Sequence, residues 1–257
     1  GWSRTAKDLK CLDPCMGSGH FVVAMFERVV ALRIAEEGLD ERDTVAAVVG
    51  ENLFGLELDP RCTQIGTFNL ALAAWRRVGH CVLPALNVAC SGLAPNATRA
   101  DWLKLAGGDD RLERGMTRLY ASFTNAPVLG SLISPRSGEG DLVVASFHEL
   151  QPLLEKALSQ ERQDEVAREM VVTANGLAKA AEILADRFTL VATNVPFLSI
   201  RRQGPELRSY LQQSYPDSKA CLSAAFVERC IDLCQLNGTA CLVTPQHWLF
   251  QDSYVEM

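Results

Sequence analysis

The chain has 257 residues, 48% of them hydrophobic, which is enough for one sizeable core with an inserted lobe. A formal net charge of −6 and a pI near 5.3 exclude a protein that holds nucleic acid by bulk electrostatics alone, so any basic contact surface is local or lies elsewhere. Nine cysteines without a C-x-x-C pair, no secretory leader and no membrane-length apolar run argue against a disulfide scaffold, a zinc ribbon and a membrane protein.

In chain order, Leu9–Leu12 reads as a short apolar strand. Ser18–Glu37 follows as a helix, with Phe21, Val22, Met25, Phe26, Val29, Val30 and Ile34 at helical spacing. Ser18 is placed to cap it and Gly38 to end it. Asp40–Val49 is a second helical piece. Asn52–Asp59 reads as a strand ending in acids, and Pro60 opens a helix that runs to Val78. A third strand, Ala85–Cys90, ends at Ser91-Gly92. This alternation predicts parallel strands joined by right-handed crossovers.

From 94 to 146 the periodicity blurs into turns rich in Gly, Pro and Ser, such as Ser134–Gly140, too long for one loop. Phe147–Ala185 is strongly helical and predicts two helices, so 94–186 is expected as a largely helical inserted subdomain between two parts of a catalytic domain, 1–93 and 187–257. Phe188–Thr193 is the next strand. A basic, turn-rich stretch at 200–205 follows, then a helix over Ser218–Gln235, a turn at Asn237-Gly238 and a last strand over Ala240–Thr244. The cysteines are expected as buried, reduced thiols of a cytoplasmic protein, with Cys230 and Cys234 on one helix face and no metal site. The chain starts almost on a strand and stops at Met257 in a helical pattern, which reads as a piece of something longer.

Three strand ends carry the chemistry. The first is Asp13-Pro14-Cys15-Met16-Gly17-Ser18-Gly19-His20, a strand-to-helix turn whose glycines admit a ligand to the backbone. Val22 stands where a dinucleotide fingerprint needs its third glycine, and the phosphate-loop Lys-Ser/Thr is absent. The turn suits a nucleoside without phosphates, and the acid suits an ammonium group. At the second strand end, Glu57 can accept from vicinal ribose hydroxyls. At the fourth, Asn194-Val195-Pro196-Phe197 resembles the Asn-Pro-Pro-Tyr/Phe tetrapeptide of amino-group methyltransferases. An exocyclic amine is a poor nucleophile because its lone pair is delocalised into the ring. The Asn194 oxygen and a neighbouring carbonyl can accept its N–H bonds and aim the lone pair, Pro196 stiffens the backbone, and Phe197 offers a stacking face.

Taken together, Leu12–Phe21, Phe54–Pro60, Thr193–Leu198 and the later runs Ala225–Cys230 and Gly238–Trp248 resemble the S-adenosylmethionine-dependent DNA adenine-N6 methyltransferases. The cofactor motif precedes the catalytic one, as in the gamma class. The likeness is strongest to the large methyltransferases of type IIG restriction–modification enzymes and of the BREX phage-defence system. The resemblance implies an α/β, Rossmann-like methyltransferase fold, a mostly parallel sheet flanked by helices. It implies site-specific methyl transfer to adenine N6 of double-stranded DNA, with the base flipped out, in a system with nuclease or other defence subunits. It implies Asp13, Pro14, Cys15, Gly17, Gly19, Phe21, Glu57, Leu58 and Ser91 as cofactor contacts, and Asn194, Val195, Pro196 and Phe197 as the catalytic turn. Ser91 departs from the acid usual at its position, and Val195 from the first proline, although the Val195 carbonyl can still accept a hydrogen bond.

Arg201 and Arg202 are placed to meet DNA phosphates. His20 and His247 are not expected to act as bases. No target-recognition region is legible here, so the segment alone is expected to bind cofactor weakly and methylate specific DNA poorly. An RNA or protein-glutamine N-methyltransferase is the alternative within the fold. A non-catalytic cofactor- or DNA-binding module of a defence complex is the alternative outside it.

Overall fold

The structure is a computed structural model that describes residues 5–135, 165–246 and 250. The turn residues 136–140, the first part of the predicted helical stretch (147–164), His247, Trp248 and the helical pattern at Met257 lie outside the described residues. The chain forms two compact units. One comprises the described residues of Gly1–Glu57, Arg61–Val88 and Arg187–Met257, and the other those of Leu58–Pro60 and Ala89–Asp186.

The first unit is built on a parallel sheet with strand order β3-β2-β1-β4-β5, flanked by helices, which is the predicted Rossmann-like α/β class. β1 is Cys11–Asp13, β2 Leu53–Glu57, β3 Asn87–Cys90, β4 Phe188–Asn194 and β5 Cys234–Val243. β1 lies between β2 and β4, with Asp13 paired to Gly55 and Leu12 to Val191. The chain winds outward from β1 in both directions, so the β1/β4 boundary is the switch point at which such sheets open a crevice beyond their carboxyl ends.

Helix α1, His20–Glu37, buries Val22, Met25, Phe26, Val29, Val30 and Arg33, a stripe at helical spacing, and ends in the left-handed Gly38, whose N–H reaches the Ile34 carbonyl. Its N-cap is Gly19 in left-handed conformation, not Ser18 as expected, because the turn needs a positive φ there (87°). Helix α2, Glu41–Ala47, is capped by Asp40, which accepts from the Arg42 N–H, and a π turn over Val48–Asn52 carries the chain into β2. Helix α3, Pro60–Val78, turns Gly66, Leu70, Ala71 and Ala74 inward.

One polar clip binds the entrance to β1. Asn52, fully buried, donates to the carbonyls of Ala6, Lys7 and Leu9 (3.1, 3.1 and 2.6 Å) and accepts from Arg33 at 3.0 Å. Arg33, only 2% exposed, is itself neutralised by Glu37 at 2.5 Å and Glu51 at 2.8 Å. A buried guanidinium persists only when its charge and donors are met in this way.

In the second unit, helix α4, Arg99–Lys104, is capped by Thr98, and α5, Asp110–Phe123, by Asp109. α5 turns Leu112, Met116, Leu119 and Phe123 inward, and the fully buried Trp102 of α4 donates its indole N–H to the Met116 carbonyl at 3.1 Å. A short α6, Ala126–Leu129, leads to a 3-10 turn at Gly130–Leu132. α7, Glu165–Ala185, is one continuous helix over the described part of the predicted pair.

Beyond β4, a 3-10 turn at Ile200–Arg202 precedes α8, Pro205–Ser214, a helix that begins at the end of the turn-rich stretch 200–205 and fills a segment to which the sequence assigned no element. α9 is Leu222–Leu233, shorter than expected, because β5 begins at Cys234. Asn237-Gly238 is therefore no helix–strand turn. It bulges out of β5, since Phe188 pairs with Cys234 while Leu190 pairs with Thr239, and Asn237 has a φ of 65°. Cys234 consequently leaves the helix face it was assigned with Cys230, and of the expected buried thiols Cys241 is exposed and Cys15, Cys62, Cys81 and Cys234 are half-buried. Among the described residues, no helix is long and apolar enough to cross a membrane.

Candidate active site

The turn after β1 is fixed by its neighbours as well as by its own glycines. The Met16 N–H donates to the Leu56 carbonyl at 3.0 Å, and the Gly19 N–H returns to the Met16 carbonyl at 2.7 Å. Gly17 (φ 53°) and Gly19 (φ 87°) both occupy the left-handed region that side chains disfavour. Their surroundings differ. A Cβ on Gly17 would meet nothing within 4 Å, so the backbone is open to an approaching group, whereas one on Gly19 would press on Gly66 Cα at 3.1 Å. Gly17 therefore lies open, and Gly19 serves the packing of α3.

Asp13 closes β1 and is 1% exposed. It accepts from the Cys15 N–H at 3.1 Å. Burial pushes its carboxyl from 3.8 up to about 7, the Cys15 N–H draws it part-way back, and the Glu57 charge adds to the rise. A carboxylate in this condition is poised to receive a cation. Glu57, the last residue of β2, stands two positions beyond the partner of Asp13, and its Oε2 accepts from the Gly17 N–H at 2.7 Å. Asp13, Cys15, Gly17 and Glu57 are therefore neighbours at the tips of β1 and β2. Pro14 is buried, and Phe21 is half-buried against the core under α1. Burial holds the Cys15 and Cys230 thiols well above their ordinary pKa and Cys11 at about 12, so none is a nucleophile.

Asn194 ends β4, opposite Val243 of β5, and reaches two positions further along the sheet than Asp13. It is exposed. Val195 turns inward at 2% exposure, Pro196 is exposed, and Phe197 leaves 56% of its surface free. The loop that follows is clasped to the segment before α9. Ile200 N–H donates to the Ala220 carbonyl at 3.0 Å and Leu222 N–H to the Leu198 carbonyl at 2.9 Å, while Ser199 bridges to Cys221. Arg201 and Arg202 stand exposed on this clasped loop, and Arg208 of α8 holds the Ile200 carbonyl at 2.7 Å. His20 is exposed, with its Nδ1 3.0 Å from Ser18 Oγ.

Leu58 and Ser91 fall in the second unit. There the buried Ser91 hydroxyl meets Ser131 at 3.2 Å, and the Leu58 carbonyl accepts the Cys90 thiol at 3.4 Å. Among the described residues no group of His, Cys, Asp or Glu could hold a metal ion. The sequence reading missed Gly66 and Asn69, which border the turn. The one available signal was Gly66, an isolated glycine inside a helical pattern, which marks a close approach of backbone.

Comparison with known proteins places the chain among methyltransferases by similarity. The chain is 28% identical over 274 residues to the adenine-specific methyltransferase BrxX of Escherichia coli O9:H4 (strain HS), covering 96% of this chain and 22% of that protein. It is 25% identical over 260 residues to the adenine-specific methyltransferase PglX of Lacticaseibacillus casei (strain Zhang), covering 98% of this chain and 21% of that protein. The PglX of Streptomyces coelicolor (strain ATCC BAA-471 / A3(2) / M145) is 25% identical over 231 residues, 88% of this chain and 15% of that protein. The chain thus spans about a fifth of the length of these relatives. The profile of the Eco57I restriction-modification methylases matches residues 51–256, from the threshold of β2 through the clasped loop to β5 and beyond. With well over half of its length so matched, the chain belongs to the Eco57I restriction-modification methylase family.

Proposed function

We propose that the protein transfers a methyl group from S-adenosylmethionine to the N6 amine of an adenine in double-stranded DNA, within a restriction-modification or phage-defence system. The observation that carries the reading is the adjacency of β1 and β4, which sets the buried carboxylate of Asp13 beside the strand that ends in the exposed turn Asn194-Val195-Pro196-Phe197.

When bound, S-adenosylmethionine supplies an electrophilic methyl on a sulfonium. Asp13 receives the methionine ammonium, which neutralises a carboxylate that burial makes costly to ionise. Gly17 lets the backbone approach, since nothing stands where its Cβ would be. Glu57 accepts from the ribose hydroxyls with its remaining lone pairs, as its Oε2 already takes one bond from the Gly17 N–H. On the substrate side, the Asn194 side-chain oxygen and the Val195 carbonyl accept the two N–H bonds of the target amine and turn its lone pair toward the sulfonium. Phe197 stacks on the extruded base, and extrusion costs a few kcal/mol. Arg201 and Arg202 meet phosphates beside the gap. The amine loses its proton to water after transfer, so neither His20 nor any thiol is needed as a base. Alignment of the two reactants provides much of the rate.

The test uses the full-length protein with radiolabelled cofactor and duplex DNA. Asn194→Ala is expected to lower turnover by roughly 100-fold or more, as loss of one transition-state hydrogen-bonding group does. Binding of S-adenosylhomocysteine in a calorimeter should stay within twofold of the parent. Full turnover by Asn194→Ala, or label that never appears as N6-methyladenine, would refute the proposal.

A further inference from the structure

We infer that helix α3 is the positioning element of the cofactor turn, acting through Asn69 and Gly66, neither of which touches the reacting groups. The Asn69 side-chain amide donates to the Ser18 carbonyl at 2.9 Å across 51 residues of sequence. The N–H in that same peptide plane, that of Gly19, is held by the Met16 carbonyl at 2.7 Å. The Ser18–Gly19 peptide is therefore pinned at both of its polar ends, and with it the direction in which α1 starts.

Gly66 makes this approach possible. A Cβ on Gly66 would lie 2.9 Å from Met16 Cε and 3.3 Å from the Gly17 carbonyl oxygen. Met16 in turn is wedged toward β2, where a Cβ on Gly55 would lie 2.6 Å from its sulfur. A glycine in mid-helix costs about 1 kcal/mol relative to alanine, and the gain here is contact between the α3 backbone and the turn. The turn has a second tie, Gly17 N–H to Glu57, but Glu57 is also assigned to the ribose. Asn69 is the side-chain tie that remains free of cofactor duty, so it can hold the turn in one shape before and after binding. Such preorganisation appears as affinity, because the ordering cost is met before the ligand arrives.

This inference rests on the cofactor reading above, and the experiment separates the two. In the full-length protein, Asn69→Asp keeps the side-chain shape and exchanges the donor for an acceptor facing the Ser18 carbonyl. S-adenosylhomocysteine affinity measured by calorimetry is expected to fall about tenfold. Hydrogen exchange of residues 14–20 should accelerate while that of α3 stays as in the parent, and KM for S-adenosylmethionine should rise with kcat within twofold. Gly66→Ala should act in the same direction. The unmutated protein provides a further reading: S-adenosylhomocysteine should slow exchange in 14–20 and in 64–70 together. Affinity and exchange unchanged in Asn69→Asp would overturn the role of α3 alone, as would ligand protection of 14–20 without 64–70 when the variants do not fold. A parent protein that binds no S-adenosylhomocysteine would overturn the cofactor reading and this inference with it.

Discussion

Asp13 offers the sharpest test, because the same burial that prepares it for a cation destabilises the empty protein. Its carboxyl rises from 3.8 in the unfolded chain to about 7 in the folded one. A raised carboxyl favours folding only while it is protonated. The stability it contributes is complete below pH 3.8 and is lost as pH climbs through 7. At about 1.4 kcal/mol for each tenfold change in proton affinity, the loss is roughly 4 kcal/mol at pH 8 and between about 1 and 2 kcal/mol at pH 5. The side-chain amide introduced by Asp13→Asn keeps an acceptor for the Cys15 N–H and carries no charge. The variant should therefore be more stable than the parent without cofactor, by roughly 2 to 3 kcal/mol more at pH 8 than at pH 5. The assay is a urea titration at each pH, followed by hydrogen exchange of the β1 peptide, residues 9–16. With a urea slope of ~2 kcal/mol per molar, the midpoint gain should be about 1 M larger at the higher pH. The same variant should bind S-adenosylhomocysteine at least tenfold more weakly. A variant less stable than the parent, or a gain that does not change with pH, would refute the argument that Asp13 is held ionised at a cost.

Two further outcomes are expected. Replacing Arg201 and Arg202 by alanine should weaken DNA binding uniformly across sequences and lower the slope of log K against log salt by about 1 per residue, measured by titration at several salt concentrations. Trp102→Ala empties the centre of the second unit and strips the Met116 carbonyl of its partner. It should cost roughly 3 to 5 kcal/mol, seen as lost exchange protection over α4 and α5 with β1 and β4 unaffected.

The strand ends were readable because each couples a local pattern to a local need. Gly17 and Gly19 occur where φ must be positive, and Pro60 where a helix begins. What was missed has two physical origins. Some signals were local but read the wrong way. Gly204-Pro205 looked like a turn, whereas proline at the first helical position opens α8. Asn237-Gly238 looked like the end of a helix, whereas it is a bulge in a strand that already pairs at Cys234. In α5, Asp109 and the spacing of Leu112, Met116, Leu119 and Phe123 were a legible cap and stripe within a stretch taken as irregular. Other signals were absent from any window. Asn69 meets Ser18 and Asn52 meets Ala6 only after the sheet has assembled, and nothing in their own neighbourhoods sets them apart from surface polar residues.

The clip of Arg33 and Asn52 has a bearing on accuracy that its distance from the strand tips conceals. β1 has three residues, Cys11–Asp13, too few for its own ladder to fix its alignment between β2 and β4. Alternation along a strand means that a slip of one residue sends every side chain to the opposite face. Such a slip would swing the Asp13 carboxylate out of the crevice and bring Leu12 or Pro14 in. By grasping the carbonyls of Ala6, Lys7 and Leu9 ahead of the strand, Asn52 acts as an index pin, counting residues so that the acid always arrives at the strand's tip in the same place. Inserting a single residue between Leu9 and Cys11 should accordingly disable the crevice while leaving all of its side chains in the protein.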